Sequence, residues 1–184
     1  MPATSGDPDL AALLADLGMV GPDGTLQRVV RLAAYGLIRR AGETLLCRVG
    51  PGYLSAGLWT LPGGGLRFGE APDVGALREV EEETGLVGRI TDAPLILSDA
   101  GTWPITEPPL PYHQVRFVYP MDVVGGAERV EVDGSTDAFG WFGVDELAEL
   151  PIVPLVSLAL GLPVPDEEPV APAQASSKPA ASSA

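Results

Sequence analysis

The stretch Gly64–Leu86, GGLRFGEAPDVGALREVEEETGL, decides how this chain is read. Pro72 suits the first turn of a helix and Gly85 the position just past its end, so the spacing predicts a helix over residues 71–84. At about 100° per residue, Glu79, Glu82 and Glu83 fall on one face of that helix, and Glu81 points away. Three like charges on one face repel each other. They also occupy the last turn, where the helix dipole disfavours anions. Neither propensity nor capping accounts for the arrangement. A divalent cation does, because hard cations gather several carboxylate oxygens at one point.

The same residues resemble the Nudix box, G-x5-E-x7-R-E-U-x-E-E-x-G-U with U aliphatic. Gly64, Glu70, Arg78, Glu79, Val80, Glu82, Glu83, Gly85 and Leu86 fill every position of it. The resemblance implies an α/β fold: a Nudix-type α/β/α sandwich with a mixed sheet and a loop-helix-loop catalytic motif. It implies hydrolysis of a nucleoside diphosphate linked to another moiety, with Mg²⁺ or Mn²⁺ as cofactor. By matched position, Glu79, Glu82 and Glu83 are the expected metal ligands, joined by the backbone carbonyl of Gly63. Arg78 is expected to orient a catalytic glutamate, and Arg78, Glu79 and Glu82 are the expected catalytic residues. Glu70 is expected at the loop-helix turn, acting through water or the helix N-terminus, or serving only as a terminal charge.

The general base stays open at this point. It is either a box glutamate, Glu79 or Glu82, or a carboxylate before the last strand, among Glu128, Glu131, Asp133 and Asp137. His113, the only histidine, begins a strand and reads as structural. For substrate binding the candidates are Arg67 inside the box loop, Trp59 and Glu70. Tyr53, Trp103 and Tyr112 are further rings for stacking on a base. Arg31, Arg48 and Arg116 are further cations for phosphate. Two substrate groups fit equally: a nucleoside triphosphate or oxidised dNTP, and an ADP-ribose-like nucleotide sugar. A non-catalytic nucleotide-binding regulatory module is the alternative, and an acidic scaffold a more distant one.

Outside the box, the pattern suggests a hairpin from Val29–Ile38 and Thr44–Val49 and a strand region over 86–98. A proline-rich loop is expected over 101–111, and a strand over 113–124 interrupted by Pro120. A last strand is expected over 139–142, then two short helices. Val74, Leu77 and Val80 are expected on the core side of the box helix. Residues 1–27 read as an N-terminal extension with a short helix, fit to act as the arm of a homodimer. Residues 28–162 read as the domain, and 163–184 as a disordered Pro/Ala/Ser-rich tail that buries too little surface to fold.

With 25 acidic against 11 basic residues and a formal charge of −14, the chain would repel a long phosphate backbone, so no long nucleic acid is expected. A small-molecule nucleotide is the expected partner, its phosphates met by a metal and a few arginines. Cys47 is the single cysteine and reads as a small buried apolar residue. No basic leader and no apolar run of about 18 residues is present, so neither secretion nor a membrane is expected and the cytoplasm is the expected location.

Overall fold

The structure is a computed structural model that describes residues 28–53, 55–103, 110–132 and 134–164. The expected N-terminal helix, Asp133 and nearly all of the expected tail lie outside the described residues. Within them the elements run β1 (Val29–Arg40), β2 (Glu43–Val49), β3 (Trp59–Thr60), β4 (Gly63–Gly65), α1 (Pro72–Thr84), β5 (Leu86–Ile90), β6 (Leu95–Trp103), β7 (Leu110–Gly126) and β8 (Thr136–Gly143). Two short helices follow, α2 (Val144–Leu147) and α3 (Pro154–Leu160). None of the described helices is long and apolar enough to cross a membrane.

The chain divides into two compact units. The larger takes in the described residues of 33–96 and 117–164. Its strands follow the order β3-β2-β1-β7-β5, with β4 on β1 and β8 on β2. The β1–β2 hairpin closes with Arg39 opposite Thr44. β2 pairs along its length with β8, from Glu43 opposite Gly143 to Val49 opposite Thr136. A lone parallel bridge joins Trp59 to Ile152. The core of this unit is Ala34, Ile38, Leu45, Cys47, Ala76, Val80, Leu86, Met121, Phe139 and Trp141. Alternate residues of β1 and β2 reach it from the sheet, as a half-buried sheet requires.

α1 begins with Pro72 at its first turn and ends at Gly85, whose φ of 72° gives the left-handed cap that glycine adopts without strain. Its inward face is Gly75, Ala76, Val80, Glu83 and Thr84. Val74 is 55% exposed, against expectation. The reason is angular: Val74 lies about 120° around the helix from Val80, whereas Ala76 lies only about 40° away.

β7 runs straight through Pro120 instead of breaking there. Proline is tolerated in a strand where its missing N–H is not required, and its carbonyl here accepts the N–H of Thr91 at 3.0 Å and its hydroxyl at 3.2 Å. The expected 86–98 strand is two strands, β5 and β6, and residues 127–131 carry no regular element. The smaller unit holds residues 28–32, 97–103 and 110–116. There β6 pairs with β7. Asp99 accepts hydrogen bonds from Arg116 and from the Tyr112 hydroxyl, and Ser98 Oγ lies 2.8 Å from His113 Nε2.

Candidate active site

The box folds as a loop clamped onto a helix by one arginine. Arg78 donates to both oxygens of Glu70, Nε to Oε1 and Nη2 to Oε2, each at 2.7 Å. Its Nη1 donates to Glu79 and, one turn on, to Glu82, both at 2.8 Å. The two-pronged contact is the geometry in which guanidinium and carboxylate pair best. Glu70 Oε2 also accepts the Arg67 N–H at 2.9 Å. Arg78, then Arg67, thereby pull the Glu70 carboxyl down to about 2. The same carboxylates hold Arg78 firmly protonated, Glu70 first among them. Glu70 is thus the anchor of the clamp.

Glu83 has the opposite character. It is only 2% exposed, and its partners are the Gly63 N–H at 2.9 Å and the Ser135 hydroxyl at 3.3 Å. Burial pushes its pKa up to about 8, and the charges of Glu79 and Glu131 add to the rise, while Gly63 and Ser135 oppose it. Glu79 is raised as well, chiefly by burial, against the pull of Arg78. Cys47 is fully buried, and burial followed by the charge of Glu83 drives its pKa up.

Two glycines bring the backbone this close. Gly63 pairs with Tyr35 at a φ of 146°, and a Cβ there would strike the Ala34 carbonyl and Tyr35. A Cβ on Gly64 would stand 3.1 Å from the Glu79 carboxylate.

The structure separates three of the four carboxylates left open before the last strand. Glu128 accepts from Trp141 Nε1 at 3.0 Å and pairs with Arg40 at 3.5 Å. Asp137 pairs with Arg48 at 2.7 Å. Asp133 lies outside the described residues. Among the three described, Glu131 is the one whose charge acts on Glu79 and Glu83, and its Oε2 is buried without a hydrogen-bond partner among the described residues. Ser135, which the sequence reading did not single out, reaches Glu83 from the same loop. No local pattern marks it, because its place is set by the Gly50 N–H bonding its carbonyl at 2.8 Å across the sheet.

Trp59 needs correction. It is 2% exposed and meets Phe142 edge-to-face at 4.7 Å, so it is a core residue with no face for a base. Tyr53 is half exposed, and the Trp103 side chain lies outside the described residues. Arg67, its side chain 66% exposed, donates to Glu82 at 3.0 Å, which places an exposed cation beside the carboxylates. Arg116, Tyr112 and His113 belong to the smaller unit.

The residues suit a divalent cation. A buried carboxyl with a raised pKa, flanked by two more carboxylates, is a concentration of negative charge that a cation relieves. Among the described residues no three such side chains already converge on one point. Arg78 holds Glu79 and Glu82, so the expected ligand set is gathered but not preassembled.

The raised and lowered carboxyls set the acid stability of the metal-free protein. For Glu83, the folded state keeps a proton that the unfolded chain releases above about pH 4.5, so stability falls as pH rises towards about 8. The size of that loss is on the order of a few kcal/mol. For Glu70 the sign reverses: its contribution is full above the unfolded pKa and is lost as pH falls towards about 2. Thermal melts in EDTA should therefore peak near about pH 5 and decline on both sides. A plateau from pH 5 to 8 would contradict the burial of an ionisable Glu83.

A sequence model described as the NUDIX domain matches residues 28–157. A MutT-like protein of Streptomyces ambofaciens is 32% identical over 50% of this chain and 53% of its own length. An ADP-ribose pyrophosphatase of Methanocaldococcus jannaschii is 28% identical over 65% of each chain. The match thus spans less than two thirds of either curated relative. A MutT NUDIX hydrolase of Burkholderia pseudomallei, known from its crystal structure, is 29% identical, with a TM-score of 0.51 over 63% of this chain and 84% of that one. The match to the NUDIX domain runs through the box and the strands on either side of it, and the chain belongs to the Nudix family.

Proposed function

We propose that this chain is a divalent-metal-dependent pyrophosphohydrolase that cleaves a nucleoside diphosphate linked to another moiety. The observation that carries the reading is the neighbourhood of Glu79, Glu83 and Glu131, with burial raising the pKa of the first two. A structural role gives no return for burying so much like charge. Glu79, Glu82, Glu83 and the Gly63 backbone would hold Mg²⁺ or Mn²⁺. When bound, the ion supplies charge neutralisation for the diphosphate and activation of the attacking water.

The other tasks fall to side chains. Arg78, anchored by Glu70, orients Glu79 and Glu82. Glu131, the loop carboxylate with an oxygen unpartnered among the described residues, takes the proton of the attacking water. The carboxylates of Glu128 and Asp137 are already paired elsewhere. Arg67 can leave Glu82 for a phosphate oxygen, since an exposed ion pair is worth little. Catalysis of this kind is mostly positioning and electrostatics. The catalytic domain spans 28–162, a reading supported by the family match over 28–157.

The name of the Methanocaldococcus relative makes ADP-ribose the first substrate to try, with nucleoside triphosphates and oxidised dNTPs beside it. Turnover with Mg²⁺ is expected for at least one of them, with products split at the phosphoric anhydride. Folded protein that turns over none of them with Mg²⁺ or Mn²⁺ would favour a nucleotide-binding module instead.

A further inference from the structure

How Glu131 is held matters for the metal-dependent activity proposed above, on which its role rests. Glu131 lies in the segment between β7 and β8, which is tied down at both ends. Ala127 N–H bonds the Gly85 carbonyl at 3.1 Å and Arg129 N–H the Thr84 carbonyl at 2.9 Å, fixing the first end to the C-terminus of α1. At the other end Gly50 N–H bonds the Ser135 carbonyl at 2.8 Å, and the Ser135 hydroxyl reaches Glu83. Between these ties the Glu131 carboxylate folds back over its own chain. A Cβ built on Gly134 would land on its carboxyl carbon and Oε2. That oxygen is buried and has no hydrogen-bond partner among the described residues. Hydrogen bonding to Oε2 therefore does not hold the carboxylate. What admits it is the empty space where residue 134 lacks a side chain.

We propose that Gly134 is a positioning residue, whose missing side chain forms the notch that seats Glu131 beside Glu79 and Glu83. The backbone at Gly134 lies outside the left-handed region, so alanine is conformationally acceptable there. Because the ties at Ser135 hold the backbone, the side chain that must yield is the flexible end of Glu131. Gly134→Ala thus displaces a site carboxylate while leaving the fold intact.

The test compares wild type, Gly134→Ala, Glu131→Gln and the double variant. Mn²⁺ affinity is read by EPR of the free ion, beside Tm and steady-state kinetics. Gly134→Ala should weaken Mn²⁺ binding about tenfold, the scale of a lost supporting group, and Glu131→Gln should do the same. The double variant should be no weaker than either, because both remove the same carboxylate. kcat should fall in parallel, with KM within about twofold and Tm close to wild type. Wild-type Mn²⁺ affinity in Gly134→Ala would overturn the proposal, and so would losses that multiply in the double variant. If wild type binds Mn²⁺ yet turns over no substrate, the hydrolase reading fails and the titration alone decides on Gly134. Absence of Mn²⁺ binding in wild type overturns both. If Gly134→Ala does not fold, Glu131→Ala/Gly134→Ala removes the side chain it collides with. Recovery of folding then supports the notch, and continued unfolding refutes it.

Discussion

Glu83→Gln should cut turnover by about a thousandfold, comparable to losing a preorganised electrostatic group at the reacting centre, without loss of metal-free stability at pH 8. The glutamine carbonyl can still accept the Gly63 N–H that Glu83 accepts at 2.9 Å. The negative charge disappears from a position that is 2% exposed and already beset by Glu79 and Glu131. Metal-free wild type pays for that charge at alkaline pH; the variant does not. Melts in EDTA should therefore show the variant equal to or above wild type at pH 8 and the gap closing towards pH 5. Adding Mg²⁺ should reverse the order, because an ion that binds only the native state stabilises it. A variant that unfolds in EDTA at pH 8 would mean that Glu83 is a structural anchor.

Arg78→Ala is expected to harm both stability and turnover. Arg78 makes four hydrogen bonds to three carboxylates, and its side chain is only 15% exposed. Removing it leaves Glu70, Glu79 and Glu82 with only the exposed Arg67 as counter-charge, the costly way to break an ion-pair network. Tm should drop by roughly 5–10 °C, and turnover by about a hundredfold because Glu79 and Glu82 lose their common support. Arg78→Lys should fall between, since an ammonium keeps the charge but cannot span both oxygens of Glu70. An unchanged Tm in Arg78→Ala would show that the clamp is not formed in solution.

The box was legible because its physics is local. The start at Pro72, the cap at Gly85 and the one-turn spacing of Arg78 and Glu82 need only helix geometry, and each is found. What escaped the sequence depends on contacts between distant segments. Trp59 has the composition of a stacking residue, yet its strand sits at the end of the sheet order on β2 and its ring turns in against Phe142. Nothing near Glu131 distinguishes it from Glu128 or Asp137. The distinction comes from Trp141, Arg40 and Arg48, which occupy the other two. Glu70 was legible as a member of the box but not as the anchor of Arg78, because the loop brings them together across a gap that no helical period links.

The central claim is that the carboxylates gathered on α1 form a site for a divalent cation. Calorimetric titration of Mg²⁺ into wild type and Glu83→Gln at pH 7, in two buffers of different ionisation enthalpy, tests it most directly. Because Glu83 titrates at about 8, binding to wild type should release a substantial fraction of a proton. Its heat should then depend on the buffer. In Glu83→Gln binding should weaken by at least tenfold and the buffer dependence should shrink to whatever Glu79 releases. Equal affinity in the two proteins, or no proton release from wild type, would contradict the account.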